Sequence, residues 1–349
     1  MTRTVLEAGG DGWAVFGGRR AHQVVDHVDL RLDRVTEGFW AVVAEFEGPA
    51  RAWRFAEVER YRAPGGPPMW RGPRAGEWTT SLDRAAYVEG VRAVRRAIRD
   101  GDVYQVNLCR VLSAPLAPAA GEPDAAALAA RLSAGNPAPY SGALHVPGGG
   151  DHPAVWIVTA SPELFLRIGD GWITSGPIKG TAATIEGLTA KDAAENVMIA
   201  DMVRNDLQRV CLPGTVEVTR LLEVEPHPGL VHLVTTVRGA LTDATWPAVL
   251  RATFPPASVS GAPKHAALDL IASLEPVPRG PYCGAVGWID ADERRAELAV
   301  GIRTFWWAPE GGGVLRFGTG AGITWDSDPD AEWAETELKA ARLVGLASR

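Results

Sequence analysis

Residues 282–346 read YCGAVGWIDADERRAELAVGIRTFWWAPEGGGVLRFGTGAGITWDSDPDAEWAETELKAARLVGL. Three stretches within it, YCGAVGWI, AELAVGIRTFWW and GVLRFGTGAGI, carry valine, isoleucine and aromatic residues between turn formers, so each predicts a strand. A helix signal follows them. Asp328 stands in front of Pro329, which suits the first helical position, and Ala334, Leu338 and Ala341 cluster on one side of a helix reaching about Leu346. The mixture of strand and helix periodicities excludes an all-α or all-β chain and leaves the α/β and α+β classes.

Working outward, Val88, Val91, Val94 and Ile98 recur at helical spacing, with Gly101 placed to end that helix. Val103 to Leu112 reads as a strand whose alternation puts Gln105 and Asn107 on one face. A second helix is predicted from Lys191 to Cys211, opened by Thr189 and Asp192 at capping-box spacing. TWPAVLRATF and KHAALDLIASL look helical, and Gly38 to Glu45 and Trp53 to Tyr61 look like strands. PLAPAAGEPDAA and HVPGGGDHP read as surface loops. The Pro- and Gly-rich stretch Ala63 to Gly76 marks a boundary, dividing the chain into a short N-terminal segment, 1–80, packed on a main domain, 81–349.

At 349 residues the chain is long enough to bury a substantial core without disulfides. Lys and Arg number 35 against 42 Asp and Glu, a formal charge of −7, which argues against a nucleic-acid groove. Cys109, Cys211 and Cys283 are far apart and form no CxxC pair, the usage of a reduced, cytoplasmic protein. Neither an apolar signal core nor a run approaching ~20 apolar residues is present, so neither export nor a membrane span is expected.

Several residues suggest chemistry. Glu332, Glu335 and Lys339 fall at i, i+3 and i+7 on one side of the last helix, which read alone is a solvated face with a Glu335–Lys339 pair. Glu195 projects into the apolar stripe of Met198, Ile199, Met202, Val203 and Val210, where a carboxylate must find a cation, donors or a shifted pKa. Glutamates on two helices would suit a hard divalent ion such as Mg²⁺. TSGPIKGTA holds Lys179 on what reads as a stiff turn, either surface decoration or a desolvated nucleophile or base. Glu163, after the strand VWIVTA, is a turn residue or a general acid. GTGAG, 318–322, lacks the spacing of a nucleotide-binding loop, but its amides could hold a small carboxylate, and Arg303 could pair with another.

The order of these pieces resembles the chorismate-utilising enzymes, a family of anthranilate, aminodeoxychorismate, isochorismate and salicylate synthases. The resemblance covers about Ser81 to Arg349 and is carried by DVYQVNL, SPELF, SGPIKGT, AENVMIADMVRNDL, VHLVTTVRG, SVSGAPK, YCGAVGWI, GIRTF and GTGAGITWDSDPDAEWAETELKA. It implies an α+β fold: a large two-layered antiparallel β-sandwich with flanking helices and the site between the layers.

Lys179 and SVSGAPK match the aminodeoxychorismate-forming members, whereas anthranilate synthases carry alanine at the lysine position. The resemblance therefore implies formation of 4-amino-4-deoxychorismate from chorismate and ammonia, toward 4-aminobenzoate and folate. Alternatives are an anthranilate or aminodeoxyisochorismate synthase, or a non-catalytic chorismate-binding subunit. Position by position it implies Mg²⁺ on Glu195 and Glu335 with Asp192 and Glu332 in support, Glu163 as general acid and Lys179 as nucleophile. Gln105, Thr181, His232, Tyr282, Arg303, Gly320, Gly322 and Lys339 would line the substrate pocket. Gln105 stands where the isochorismate and salicylate enzymes use a lysine to activate water. The implied partner is a separate glutamine amidotransferase that supplies ammonia. Two departures are visible: Ala182 to Thr184 lacks the family's usual arginine, and no LLES-like tryptophan-binding element precedes Ser81.

Overall fold

A computed structural model describes residues 12–29, 32–61, 69–117, 121–182, 184–227 and 230–349. The first part of the chain gives β1 (Trp13–Phe16), β2 (Arg19–Val28), β3 (Phe39–Ala44), β4 (Ala50–Arg60), β5 (Thr79–Thr80), α1 (Arg84–Asp100), β6 (Gln105–Pro115) and α2 (Ala125–Gly135). Next come β7 (Tyr140–Val146), β8 (Val155–Ser161), β9 (Leu164–Gly169), β10 (Trp172–Gly176), β11 (Ile178–Ala182), α3 (Ala190–Gln208), β12 (Glu217–His227) and β13 (Leu230–Ala240). The last part supplies α4 (Trp246–Thr253), β14 (Gly261–Ala262), α5 (Lys264–Leu274), β15 (Ala285–Asp290), β16 (Arg295–Val300), β17 (Thr304–Ala308), β18 (Val314–Ile323) and α6 (Pro329–Ala347).

Local chemistry sets the helix ends. Asp83 caps α1 through the Ala86 N–H, and Gly101 takes the left-handed conformation that ends it. Thr189 and Asp192 form the expected capping box on α3. Asp328 caps α6, with Pro329 at its first position.

The strands form one antiparallel sheet. Reading across it, the neighbours are β5 and β14 on β6, then β18, β17, β8, β7, β1, β2, β4, β3, β15, β16, β9, β10, β13 and β12, with β11 also on β13. The N-terminal strands belong to this sheet through β1 on β7 and β3 on β15. β18 lies near one end and β11 near the other, yet a Cβ placed on Gly322 of β18 would come within 3.0 Å of Lys179 Nζ on β11. The two ends of the sheet therefore face each other, giving the α+β architecture of a large antiparallel sheet with flanking helices. The largest core cluster includes Tyr87, Val106, Leu108, Ile199, Val237 and Ile271. A second, under α2 and α6, gathers Leu128, Trp156, Phe305 and Leu343, and a third joins Phe16, Phe39, Trp53 and Trp288. No helix among the described residues is long and apolar enough to cross a membrane.

Four local expectations are corrected. AELAVGIRTFWW is two strands, because the chain bends at Gly301–Arg303: a Cβ on Gly301 would meet the Pro281 carbonyl at 2.1 Å, and Arg303 has φ +52°. Lys179 lies within β11 instead of on a turn, since Ile178 on one side and Thr181 and Ala182 on the other side of a register shift pair with β13. Part of the predicted loop PLAPAAGEPDAA is α2, whose N-cap is Asp124. The second helix stops at Gln208, and Cys211 instead bridges to Leu241. Residues 63–68 of the predicted boundary, and Ala183 in the departure after PIKGT, lie outside the described residues.

Candidate active site

Asn196, fully buried on α3, joins three elements. Its amide donates to the Leu233 carbonyl at 2.8 Å and the Lys179 carbonyl at 3.4 Å, while Thr235 donates to its oxygen. A polar side chain so placed ties α3 to β11 and β13 and fixes the backbone that carries Lys179. Gly180, at φ +88°, allows the close approach, because a Cβ there would lie 2.8 Å from Asp192 Cβ. One residue further, Thr181 faces His232, with Oγ1 and Nδ1 2.9 Å apart, and Arg303 Nη2 is 3.5 Å from His232 Nε2. A guanidinium cannot accept, so in this arrangement Nε2 is the acceptor and Nδ1 donates to Thr181.

Burial lowers the Lys179 pKa, against an upward pull from Glu195 and with a downward push from Lys339; Glu163 and Glu335 pull it up. Glu163 sits at the corner between β8 and β9, 3% exposed. Burial raises its pKa to about 7, although the Ser258 hydroxyl, Lys179, the Ile178 N–H and Lys339 all favour its charged form. A carboxyl titrating near neutrality beside a lysine of depressed pKa is a matched acid and nucleophile.

The opposite wall comes from β6, β18 and α6. In register, Gly320 faces Cys109 and Gly322 faces Asn107. A Cβ on Gly322 would stand 2.6 Å from Gln105 Nε2, so this glycine makes room for both Gln105 and Lys179. Gln105 is 1% exposed, and its Oε1 has no hydrogen-bond partner among the described residues. Lys339 donates to the Gly320 carbonyl at 3.1 Å and lies 2.6 Å from Glu335.

Glutamates from two helices meet here. Lys191 Nζ is 3.8 Å from both Glu195 on α3 and Glu332 on α6, and Ser327 donates to Glu332 at 2.5 Å. Burial raises Glu195 and Glu332, with Glu335 pushing each further, while Glu335 itself is lowered because Lys339, Lys179 and Lys191 outweigh its burial. Asp192 spends its carboxylate on the α3 cap. Among the described residues no three His, Cys, Asp or Glu side chains form a ready ligand cluster. The hard-oxygen donors Glu195, Glu332 and Glu335, mutually repelling and held by lysines, do suit Mg²⁺, which takes one or two protein carboxylates and completes its sphere with substrate and water.

Tyr282 lies deeper. Its ring covers Gly318, where a Cβ would come within 2.0 Å of Cγ, and its hydroxyl is 3.8 Å from Cys109 Sγ. Beneath it the fully buried Arg279 bonds Glu275 and the carbonyls of Val259 and Asn107. The structure thus brings Lys179, Glu163, Gln105, Gly322, Lys339, Glu195, Glu335 and Glu332 together, with Thr181, His232 and Arg303 linked alongside and Tyr282 behind Gly318. Asn196 and Arg279 were absent from the sequence reading. A polar Asn within an apolar helical stripe was the one available signal, and Arg279 left none.

A family model described as chorismate binding enzyme matches residues 42–345. The aminodeoxychorismate synthase component 1 of Salmonella typhimurium is 36% identical over 280 residues, 76% of this chain and 58% of that protein. The anthranilate synthase component 1 of Streptomyces coelicolor is 38% identical over 285 residues, 78% of this chain and 53% of that protein. The chain thus spans a little over half the length of these two relatives. The crystal structure of anthranilate synthase component I from Streptococcus pneumoniae superposes with a TM-score of 0.76 at 21% identity, covering 99% of this chain and 95% of that one, a likeness of fold.

Proposed function

Because the chain belongs to the family of chorismate binding enzymes, we propose that it converts chorismate and ammonia to 4-amino-4-deoxychorismate, working with a separate glutamine amidotransferase in the cytoplasm. The observation that carries this reading is Lys179, a lysine with a burial-lowered pKa beside Glu163. Alanine stands at that position in the anthranilate-forming relatives described by the sequence resemblance.

Chorismate is a small dianion, and Arg303 and Lys339 offer it positive charge in a half-buried site. Gln105 Oε1, a buried acceptor without a partner among the described residues, is available to a substrate hydroxyl or incoming ammonia. The neutral Lys179 amine adds to the ring carbon beside the carboxylate-bearing carbon, the double bond shifts, and the ring hydroxyl leaves as water with a proton from Glu163. Ammonia then adds where the hydroxyl stood, and the double bond shifts back as Lys179 departs. Mg²⁺, held by Glu195 and Glu335 with Glu332, would supply charge neutralisation and polarisation of the ring carboxylate.

Product identification tests the assignment: chorismate, Mg²⁺ and ammonium should yield 4-amino-4-deoxychorismate, and anthranilate as sole product would overturn it. Glutamine in place of ammonium should give nothing with this chain alone, its three cysteines being buried. Without ammonia, intact-mass analysis should find substrate mass on the Lys179 peptide. An undiminished rate in Lys179→Ala, with no adduct in the wild type, would remove the covalent step. Excess chelator should abolish turnover, as should Glu335→Gln in a protein of unchanged circular dichroism; full activity under chelation would exclude the metal.

A further inference from the structure

Glu163 also borders a second space, whose walls include Ser175, Val203, Asp206, Thr253 and Ser258 and exclude Lys179, Gln105, Gly322 and Arg303. It offers about 20 Å³ to the centre of a water molecule, enough for one, and buried water persists where two to four polar groups meet it. Three polar side chains that can bond a water stand on this wall. Ser258 and the Ile178 N–H favour the charged form of Glu163, and a carboxyl has room for a further donor. Ser175, 5% exposed, stands on the same wall with a hydroxyl that can both donate and accept. Asp206, its side chain 10% exposed, receives Lys264 Nζ at 2.7 Å on Oδ2. Lys264 is itself fixed by the Thr253 and Pro255 carbonyls at 3.3 and 3.1 Å, and its bond occupies only Oδ2 of the Asp206 carboxylate.

We propose that one water in this cavity, held by Ser175 and Asp206, returns a proton to Glu163 after each turnover, with Lys264 as the residue that positions Asp206. The inference rests on the reading of Glu163 as general acid. Each cycle breaks the Glu163 O–H bond, the hydroxyl leaves as water with the C–O electron pair, and the added ammonia keeps its three hydrogens as an ammonium. Glu163 therefore ends one proton short while product still covers it from the substrate side. The proton enters from solvent acid at Asp206, passes to the cavity water as that water gives one to Glu163, and both carboxyl groups are restored. Burial raises the Asp206 pKa, against Lys264, which makes it a better carrier near neutral pH.

Rapid-quench kinetics on the magnesium- and ammonium-supplied chain tests this with Asp206→Asn and with Ser175→Val, which fills the cavity and leaves the Asp206–Lys264 pair intact. In both, the first turnover should match wild type, because Glu163 starts protonated, and later turnovers should slow roughly tenfold or more. Millimolar imidazole or acetate should restore the later turnovers of Asp206→Asn. Equal slowing of first and later turnovers in both variants, or no slowing in either, overturns the relay while wild-type amination stands. A wild type that forms no aminated product overturns the reading of Glu163 and the relay together.

Discussion

Glu163→Gln is expected to lower chorismate turnover by about two to four orders of magnitude, the usual worth of a general acid, while making the fold more stable in alkaline solution. Burial holds the wild-type carboxyl at about 7 against an ordinary value of 4.5. The folded state therefore binds this proton more tightly than the unfolded chain does. That contribution is fully present below the unfolded pKa and is lost as pH rises through the folded one. At pH 8 the wild type keeps a buried charge that costs roughly 3 kcal/mol, about 2.5 pKa units, and the neutral glutamine removes it. Thermal melts at pH 5 and pH 8 check the sign: Glu163→Gln should gain on wild type only at the higher pH. Wild-type kcat/KM should fall as pH passes about 7. A variant no more stable at pH 8 than at pH 5, relative to wild type, would mean that Glu163 is not held protonated by burial.

Arg279→Ala is expected to destabilise the chain by about 3–5 kcal/mol, the cost of breaking a buried ion pair from one side. Arg279 is fully buried, pairs with Glu275 at 2.6 Å, donates to the Asn107 and Val259 carbonyls at 2.6 and 2.8 Å, and stacks 4.2 Å from the Phe46 ring. Glu275 in turn accepts the Cys109 N–H at 2.9 Å. Truncation strands a carboxylate and two carbonyls inside the protein, beside the strand that carries Gln105. The melting temperature should drop by roughly 4–7 °C. The double variant Arg279→Met with Glu275→Leu, which removes both charges, should recover most of that loss. A single-variant loss below about 1 kcal/mol would show that solvent reaches the pair.

The helices were legible where their signals are local. Asp328 with Pro329, Thr189 with Asp192, and Gly101 each act within one turn, and KHAALDLIASL coincides with α5. The opening strands were fainter. Phe39–Ala44 is buried on both faces, so alternation has little to report, and the reading recognised β3 without its partner β15. Lys179 was taken for a turn residue because Gly176, Pro177 and Gly180 surround it. Pro177 only breaks the ladder, and β13 carries the strand on the other side.

Sequence by itself determined that helices and strands are mixed, the capped helices and the residues able to do chemistry, because propensity, capping and side-chain chemistry act over a few positions; the choice of α+β came from the family resemblance. It also showed Glu195 pointing at an apolar stripe, a local contradiction that calls for a cation, hydrogen-bond donors or a shifted pKa. Only the tertiary structure decided what those residues face. Gly322 meets Lys179 across 143 positions of chain, Asn196 binds carbonyls on two strands, and Arg279 reaches Asn107 at a separation of 172. Such contacts leave no periodicity, since they arise when the two ends of one sheet are folded face to face. The pKa values of Glu163 and Lys179 belong to the same level, because a carboxyl or an amine acquires its desolvation from every neighbour that closes over it.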